Sequence, residues 1–435
     1  MSDATFTCPD LTSFCRLDGL GLEVTGQRIE PDRAILACRP VDADDWCRDC
    51  GGQGLIRGSV VRLLSHVPLG WRPTVLHVRL RRYRCIECGR VWRQDTSAAA
   101  EPRSKLSRAA LRWGLEGLVV QHLSMSRIAA GLDVAWNTAN DAVLAEGQRV
   151  LISDLARFDG VKVIGVDEHC WRHTRHGEKY VTVIIDLTPT RDGTGPARLL
   201  DMVEGRSKQV FKTWLAARPR AWRKGIEVVA MDGFTGYKTA AVEELGNATT
   251  VMDPFHVVRL AGEALTRCRQ RVQQDTCGHR GRAGDPLYRA RRTLLTGVDL
   301  LTDKQVARLE ALFADEQHTE VYATWSIYQR LVVAYRHPDK QLGRFLLQGV
   351  IDSVSTGVPR DLVELVSLGR TLHRRAADVL AFFDRPGTSN GPTEAINGRL
   401  EHLRGIALGF KNLTHYIARS LLETGGFKPH LHPAL

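Results

Sequence analysis

Two matched cysteine pairs constrain this chain more than any other feature. Cys47 and Cys50 lie in WCRDCGG, Cys85 and Cys88 in YRCIECGR, and 34 residues separate the pairs. Each pair is followed by glycine, which favours a tight turn, and two such turns supply four thiolates for a tetrahedral zinc ion. Redox dithiols seldom come as two matched pairs, so structural zinc is the stronger reading over a redox site or unligated buried thiols. Cys38 is a candidate substitute ligand. The intervening LIRGSVVRLLSHVPLGWRPTVLHVRLRRYR alternates apolar and polar residues, the pattern of strands in a hairpin-based zinc ribbon. Cys8, Cys15, Cys170, Cys268 and Cys277 are scattered and read as small buried or surface residues. Such usage suits a reducing, cytoplasmic setting.

The remaining length asks for more than a ribbon. With 435 residues, 43% of them hydrophobic and 25% charged, the chain has material for about three folded domains. No apolar run nears the ~18 residues of a membrane span, and the opening MSDATFTCPD lacks the basic flank and apolar stretch of a signal peptide, so no membrane role is expected. The formal net charge of +11 is concentrated: Arg79 to Arg112 holds ten Lys/Arg against three acids, and Arg259 to Arg292 nine Arg against three. One such cluster reads as a solvated face. Two of them, rich in an arginine that pairs bidentately with phosphate, point to a polyanionic partner. Arg79, Arg81, Arg82 and Arg84, beside the second cysteine pair, are the first candidates for phosphate contact.

After EPRSKLSR the period becomes helical, with apolar residues at Leu111, Leu115, Leu118, Val119 and Leu123. A short second helix is expected in SMSRIAAGL, capped by Ser124 or Ser126, then a glycine-containing turn and a third helix from about Trp136 through Val150. This is a helix-turn-helix pattern. Its recognition helix would carry Trp136, Asn137, Thr138 and Asn140 toward phosphates or base edges. Any three-helix bundle gives the same period, and the basic zinc module on its N-terminal side is what favours DNA.

From residue 161 the pattern is α/β. VKVIGVDEH, YVTVIIDLT and ARLLDMVEG read as three strands, SKQVFKTWLAAR as a helix, IEVVAMDGF as a strand, TGYKTAAVEEL as a helix and TTVMDPFHVV as a last strand. That order is the plan of an RNase H-like fold, in which strands deliver carboxylates to one end of a mixed sheet. Strand-end acids also cap turns, and both readings stand for Asp167, Asp186, Asp232 and Asp253. Pro392 suits the first position of a helix, with Gly391 as cap and Glu394 in the first turn, where the helix dipole alone favours an acid. Glu401, two turns further on the same face, is an alternative to Glu394. Three gathered carboxylates repel, and two magnesium ions would offset that cost while binding a phosphodiester.

These motifs together resemble the DDE transposases of the ISL-three insertion-sequence family over nearly the whole chain. The residues that carry the resemblance are the paired C-x2-C module with HVPLGWRPTVLHVRLRRYRC, the helix-turn-helix, GVDEHCWR, AMDGFTGY followed by VMDPFHVVRL, and SNGPTEAINGRLEHLRGIALGFKN. The resemblance implies catalytic, magnesium- or manganese-binding Asp167, Asp232 and Glu394, zinc at Cys47, Cys50, Cys85 and Cys88, and a mainly helical insertion between Asp232 and Glu394. The whole is then a multidomain α/β protein: a zinc-ribbon DNA-binding region over 1–100, a helix-turn-helix over 101–155, an RNase H-like core over 156–262 and 386–435, and an α-helical insertion over 263–385. The implied activity is binding of terminal inverted repeats, metal-dependent DNA cleavage and strand transfer, by a homo-oligomer assembled on double-stranded DNA and associated with the bacterial nucleoid when bound. The competing reading is a regulator or domesticated transposase that binds DNA without cutting it.

Overall fold

The computed structural model describes residues 9–173, 177–385, 387–389 and 391–431. The chain divides into two compact units, Met1–Arg157 with Ile406–Leu435, and Phe158–Gly405. It is a mixed α/β molecule, and among the described residues no helix is long and apolar enough to cross a membrane.

The first unit is built on β1 (Leu22–Ile29), β2 (Ala34–Pro40), β3 (Gly54–Leu69), β4 (Arg72–Cys85) and β5 (Val91–Arg93). They form one sheet in the order β1-β2-β4-β3, with β5 on β4. β3 and β4 make a long antiparallel hairpin, turned at Gly70 with φ 64°, a conformation glycine adopts without steric cost. The two-residue period of the sequence puts Leu64, Leu76, Val78 and Leu80 into one core with Leu36 and Leu22. Three helices follow: α1 (Arg108–Val119), α2 (Met125–Gly131) and α3 (Trp136–Gly147). Ser107 caps α1 by accepting from the Ala110 amide and Ser124 caps α2 by accepting from Arg127, which decides between the two serines considered for that cap. Gly114 lets α1 approach α3 closely, since a Cβ there would stand 2.9 Å from Val143 Cγ2.

The second unit carries β6 (Val163–Cys170), β7 (Tyr180–Asp186), β8 (Arg198–Glu204), β9 (Val228–Met231) and β10 (Thr249–Met252) in the order β10-β9-β6-β7-β8. β6, β7 and β8 are antiparallel neighbours, while β9 and β10 run parallel to β6. α4 (Lys208–Ala216) and α5 (Thr235–Leu245) bury Phe211, Trp214, Leu215 and Tyr237 on Ile164, Val166, Ile184, Val229 and Met231. One expected strand is corrected: TTVMDPFHVV is strand only to Met252. Asp253 accepts from the Phe255 amide and Pro254 occupies the first helical position, so the chain turns straight into α6 (Pro254–Cys277).

A helical layer continues through α7 (Asp303–Phe313), α8 (Thr319–Arg336), α9 (Lys340–Thr356), α10 (Val363–Arg374) and α11 (Ala376–Asp384) around Leu265, Cys268, Leu331, Leu347 and Leu372. α7 ends at Phe313, and Asp315 caps a short 3-10 turn before α8. Arg271 of α6 binds Glu364 of α10 through two nitrogens, at 3.0 and 3.1 Å, and also binds Glu320 of α8. Such a bidentate pair fixes orientation as well as contact. After α12 (Gly391–Ile406) the chain returns to the first unit as α13 (Leu413–Thr424), where Leu422 lies against Gly147 and His122 meets Glu423 at 2.7 Å.

Candidate active site and metal centre

The four paired cysteines converge at one end of the β3–β4 hairpin. Cys47 and Cys50 sit in the turn that leads to β3, Cys85 ends β4, and Cys88 lies in the turn before β5. Their sulfurs all lie within 4.8 Å of one another, with Cys47 to Cys88 at 3.6 Å and Cys50 to Cys85 at 3.3 Å. A tetrahedron with metal–sulfur bonds of about 2.3 Å has edges of about 3.8 Å, so the cluster is sized to hold an ion. The Cys88 amide donates to the Cys85 sulfur and holds that thiol down at about 6, toward the thiolate a metal needs. Cys38 lies elsewhere, buried in the sheet core, where burial pushes its thiol up to about 12.

The basic cluster on β4 divides. By strand alternation Arg79 and Arg81 face one side, and Arg82 and Arg84 the other; all four are exposed. Arg79 and Arg81 line a groove of about 950 Å³ with Arg39, His77 and Ser59. On α3, Trp136 and Asn137 are exposed and Thr138 is half-buried. Asn140 turns inward: it is 3% exposed, donates to Asp141 and lies 3.5 Å from His415 of α13. Burial there holds its amide away from anything docked on the exposed face.

In the second unit Asp167 ends the apolar part of the central strand β6 and is 8% exposed. Its Oδ1 accepts from the Glu168 amide at 2.8 Å and its Oδ2 from Asn397 of α12 at 3.0 Å. Burial raises its carboxyl to about 6; the Glu168 amide opposes this, and the charge of Asp232 adds to the rise. Asp232, just past β9, accepts from the Phe234 amide at 2.8 Å and borders two clefts of about 860 and 920 Å³. Glu394 is exposed in the first turn of α12, one turn before Asn397 and therefore on the same helical face. Among the described residues the three carboxylates do not close to the 4.8 Å spacing that the cysteines reach.

The other acids are engaged. Asp186 is 2% exposed, accepting from the Thr188 amide and from Arg198 at 3.0 Å, so it closes the end of β7. Asp253 caps α6. Glu401 binds Arg404 and lies 4.0 Å from His169, whose imidazole burial pushes down to about 4. Two residues near Asp167 escaped the sequence reading. Asn397 carried a signal in its three-residue spacing from Glu394. His256 sat in a segment read as strand; burial lowers its imidazole, but Asp253, 3.3 Å away, outweighs that and leaves it above its ordinary value.

Similarity to known proteins decides the family. A family model for ISL3 DDE transposases, described as "Transposase", matches residues 164–420. The chain belongs to the ISL3 family of DDE transposases. It is also similar to the transposase for insertion sequence element IS1557 of Mycobacterium tuberculosis, 25% identical over 72% of each chain. The transposase for insertion sequence element IS1001 of Bordetella parapertussis is 24% identical over 69% of this chain and 70% of its own. Within the ISL3 match lie Asp167, Asp232, Glu394, Asn397 and His256, whereas the four cysteines precede it. The family makes this chain a DNA-processing enzyme.

Proposed function

We propose that the chain binds the terminal inverted repeats of an insertion sequence and catalyses metal-dependent cleavage and strand transfer through Asp167, Asp232 and Glu394. The observation that carries this reading is the Asn397–Asp167 hydrogen bond, which turns the α12 face bearing Glu394 toward the strand acid that already feels Asp232. The sheet order, with an antiparallel β6-β7-β8 and parallel β9 and β10, supports an RNase H-like core with α6 to α11 as its helical insertion. Capped α1 and α2 followed by α3 support a helix-turn-helix, with Trp136, Asn137 and Thr138 on its exposed face.

Oxygen donors of this kind suit magnesium or manganese, and an Asp167 carboxyl raised by burial and, beyond that, by the charge of Asp232 is the electrostatic debt a cation settles. When bound, divalent ions neutralise charge on the attacking and leaving oxygens of a phosphodiester exchange. The chain's own part is to hold the acids: Asn397 fixes Asp167, the Phe234 amide fixes Asp232, and the first turn of α12 presents Glu394. In the first unit four thiolates favour zinc over harder ions. Arg79, Arg81, Arg82 and Arg84 would contact phosphates on both faces of β4, in a homo-oligomer on DNA.

The open spacing of the carboxylates favours one alternative, a DNA-binding protein that no longer cuts. Incubating the full chain with a duplex carrying the DNA that flanks its coding region, with magnesium or manganese, separates the two. Cutting at the element boundary supports the transposase; end binding without cutting under either metal supports the regulator.

A further inference from the structure

Beside Asp232, the cleft of about 920 Å³ is lined by Lys238 of α5, Arg259 of α6, and Arg374 and Arg375 at the end of α10. Two acids share the lining, Asp232 at one end and Glu243, which is held by Lys208 and Lys212 at 2.6 Å each. Arg375 is 7% exposed. Its Nε donates to Asp378 at 2.5 Å and its Nη1 to the Gly233 carbonyl at 3.0 Å, but among the described residues its Nη2 has no hydrogen-bond partner. A buried guanidinium nitrogen without an acceptor is costly; it is closed to solvent, and a turn of the Arg375 side chain toward the cleft would offer it to an anion there. Asp378 accepts from Lys238 as well, so the one buried carboxylate is shared by two of the four cations. Arg259 also faces Glu263 at 3.8 Å; with Asp232, Glu263 and Asp378 set against the four cations, and Glu243 matched by two lysines, the cleft keeps an excess of positive charge. The N-terminus of α5, which has no side-chain cap, opens on the same lining at Phe234 and Thr235 and adds its amide dipoles.

We infer that this cleft is a phosphate subsite of the second unit that takes a backbone phosphate of DNA next to the strand being cut, an assignment that rests on the transposase reading. Planar guanidinia match the paired oxygens of a phosphodiester, and Arg374 and Arg259 at the exposed rim suit an extended strand better than an enclosed free anion. Arg375 has a second consequence. By holding the Gly233 carbonyl it ties the subsite to the residue after Asp232, so occupancy of the cleft and placement of that acid share one side chain.

The test uses the full chain and a labelled duplex carrying the DNA that flanks the coding region, without divalent ions, titrated over a salt series. Arg374→Gln and Arg259→Gln, both at exposed positions, should each lower the slope of log affinity against log salt by about one, the signature of one lost phosphate contact. Arg375→Lys, which keeps the charge and loses the fork, should weaken binding several-fold. A neutral methylphosphonate scanned along the strand should weaken wild-type binding at one position that is silent in Arg374→Gln. Equal slopes in all variants, with no such position, overturn the subsite. If inorganic phosphate instead raises the melting temperature of wild type but not of Arg374→Gln while the DNA slopes stay equal, the ligand is free phosphate and the DNA assignment falls. A wild type that shows the slope difference yet never cuts this duplex with magnesium or manganese refutes the transposase reading and leaves the subsite standing.

Discussion

The two ligand sets of this chain are built in opposite ways. Four cysteines on two short turns close to within 4.8 Å of one another, while Asp167, Asp232 and Glu394 come from a strand, a strand exit and a helix spread over more than 200 residues and stay open. The difference is electrostatic and topological. Thiols can share protons and approach, and each C-x2-C turn brings two of them together locally. Carboxylates repel, and no single turn brings them together; burial and, beyond it, the charge of Asp232 raise the Asp167 carboxyl to about 6. A local site is complete once its turns form, whereas a dispersed one depends on the whole fold.

Loss of the four-cysteine site should have the largest effect. Zinc analysis should find one ion per chain, and Cys85→Ser should lose it together with the cooperative melting of the first unit, because such sites contribute on the order of 10 kcal/mol to folding. Metal-free protein that melts normally would refute it. Next in size is Asp232→Asn, which keeps shape and removes charge. Metal-dependent cutting should fall about 100- to 1,000-fold while end binding persists. Asp186→Asn is its control: loss of the Arg198 partner should lower stability by about 2 kcal/mol and leave turnover per folded molecule intact. Equal losses of turnover in both variants would erase the distinction between a metal ligand and a turn acid.

A smaller effect is expected from pH in the first unit. His66 is buried, its Nδ1 is 2.9 Å from the Ser107 hydroxyl that caps α1, and burial pushes its imidazole down to about 4. The unfolded chain takes up this proton near 6.5 and the folded one only near 4. Stability is therefore full above pH 6.5 and falls by about 1.4 kcal/mol per unit as the pH drops through that window. Denaturant melts of wild type and His66→Gln at pH 7 and pH 5 check this; an unchanged difference between the two pH values in the variant would refute it. The smallest expected change is Asn397→Ala. Losing one hydrogen bond to Asp167, of about 1 kcal/mol, should raise several-fold the manganese concentration that half-stabilises the protein against heat, and Asn397→Gln should not rescue it.

Much of this was legible in sequence because its causes are local. The C-x2-C spacing announced the cysteine cluster, the helical period announced α1 and α2, and the apolar runs before Asp167 and Asp232 announced β6 and β9, although β6 continues past Asp167 to Cys170. Where local signals competed, reading failed: Asp253 and Pro254 begin a helix within a run that looked like strand, since a cap and a proline outweigh flanking β-branched residues.

Tertiary structure decided the rest. Sequence could not show that Arg79 and Arg81 line a groove with Arg39 while Arg82 and Arg84 face away, because β4 has to lie beside β2 before that groove exists. Nor could it show that Asn140 packs inward beside His415, a residue 275 positions later. Asp186 and Asp167 both follow apolar runs in the sequence, and only their partners separate them: Arg198 neutralises one, while the other is left with an amide, an asparagine side chain and the field of Asp232. Sequence determined which residue types stand at the ends of local elements, because caps, turns and periodicity act within a few residues. The charge each of them feels is a sum over neighbours that the chain brings together only on folding, and that sum is what sets a structural acid apart from a candidate ligand.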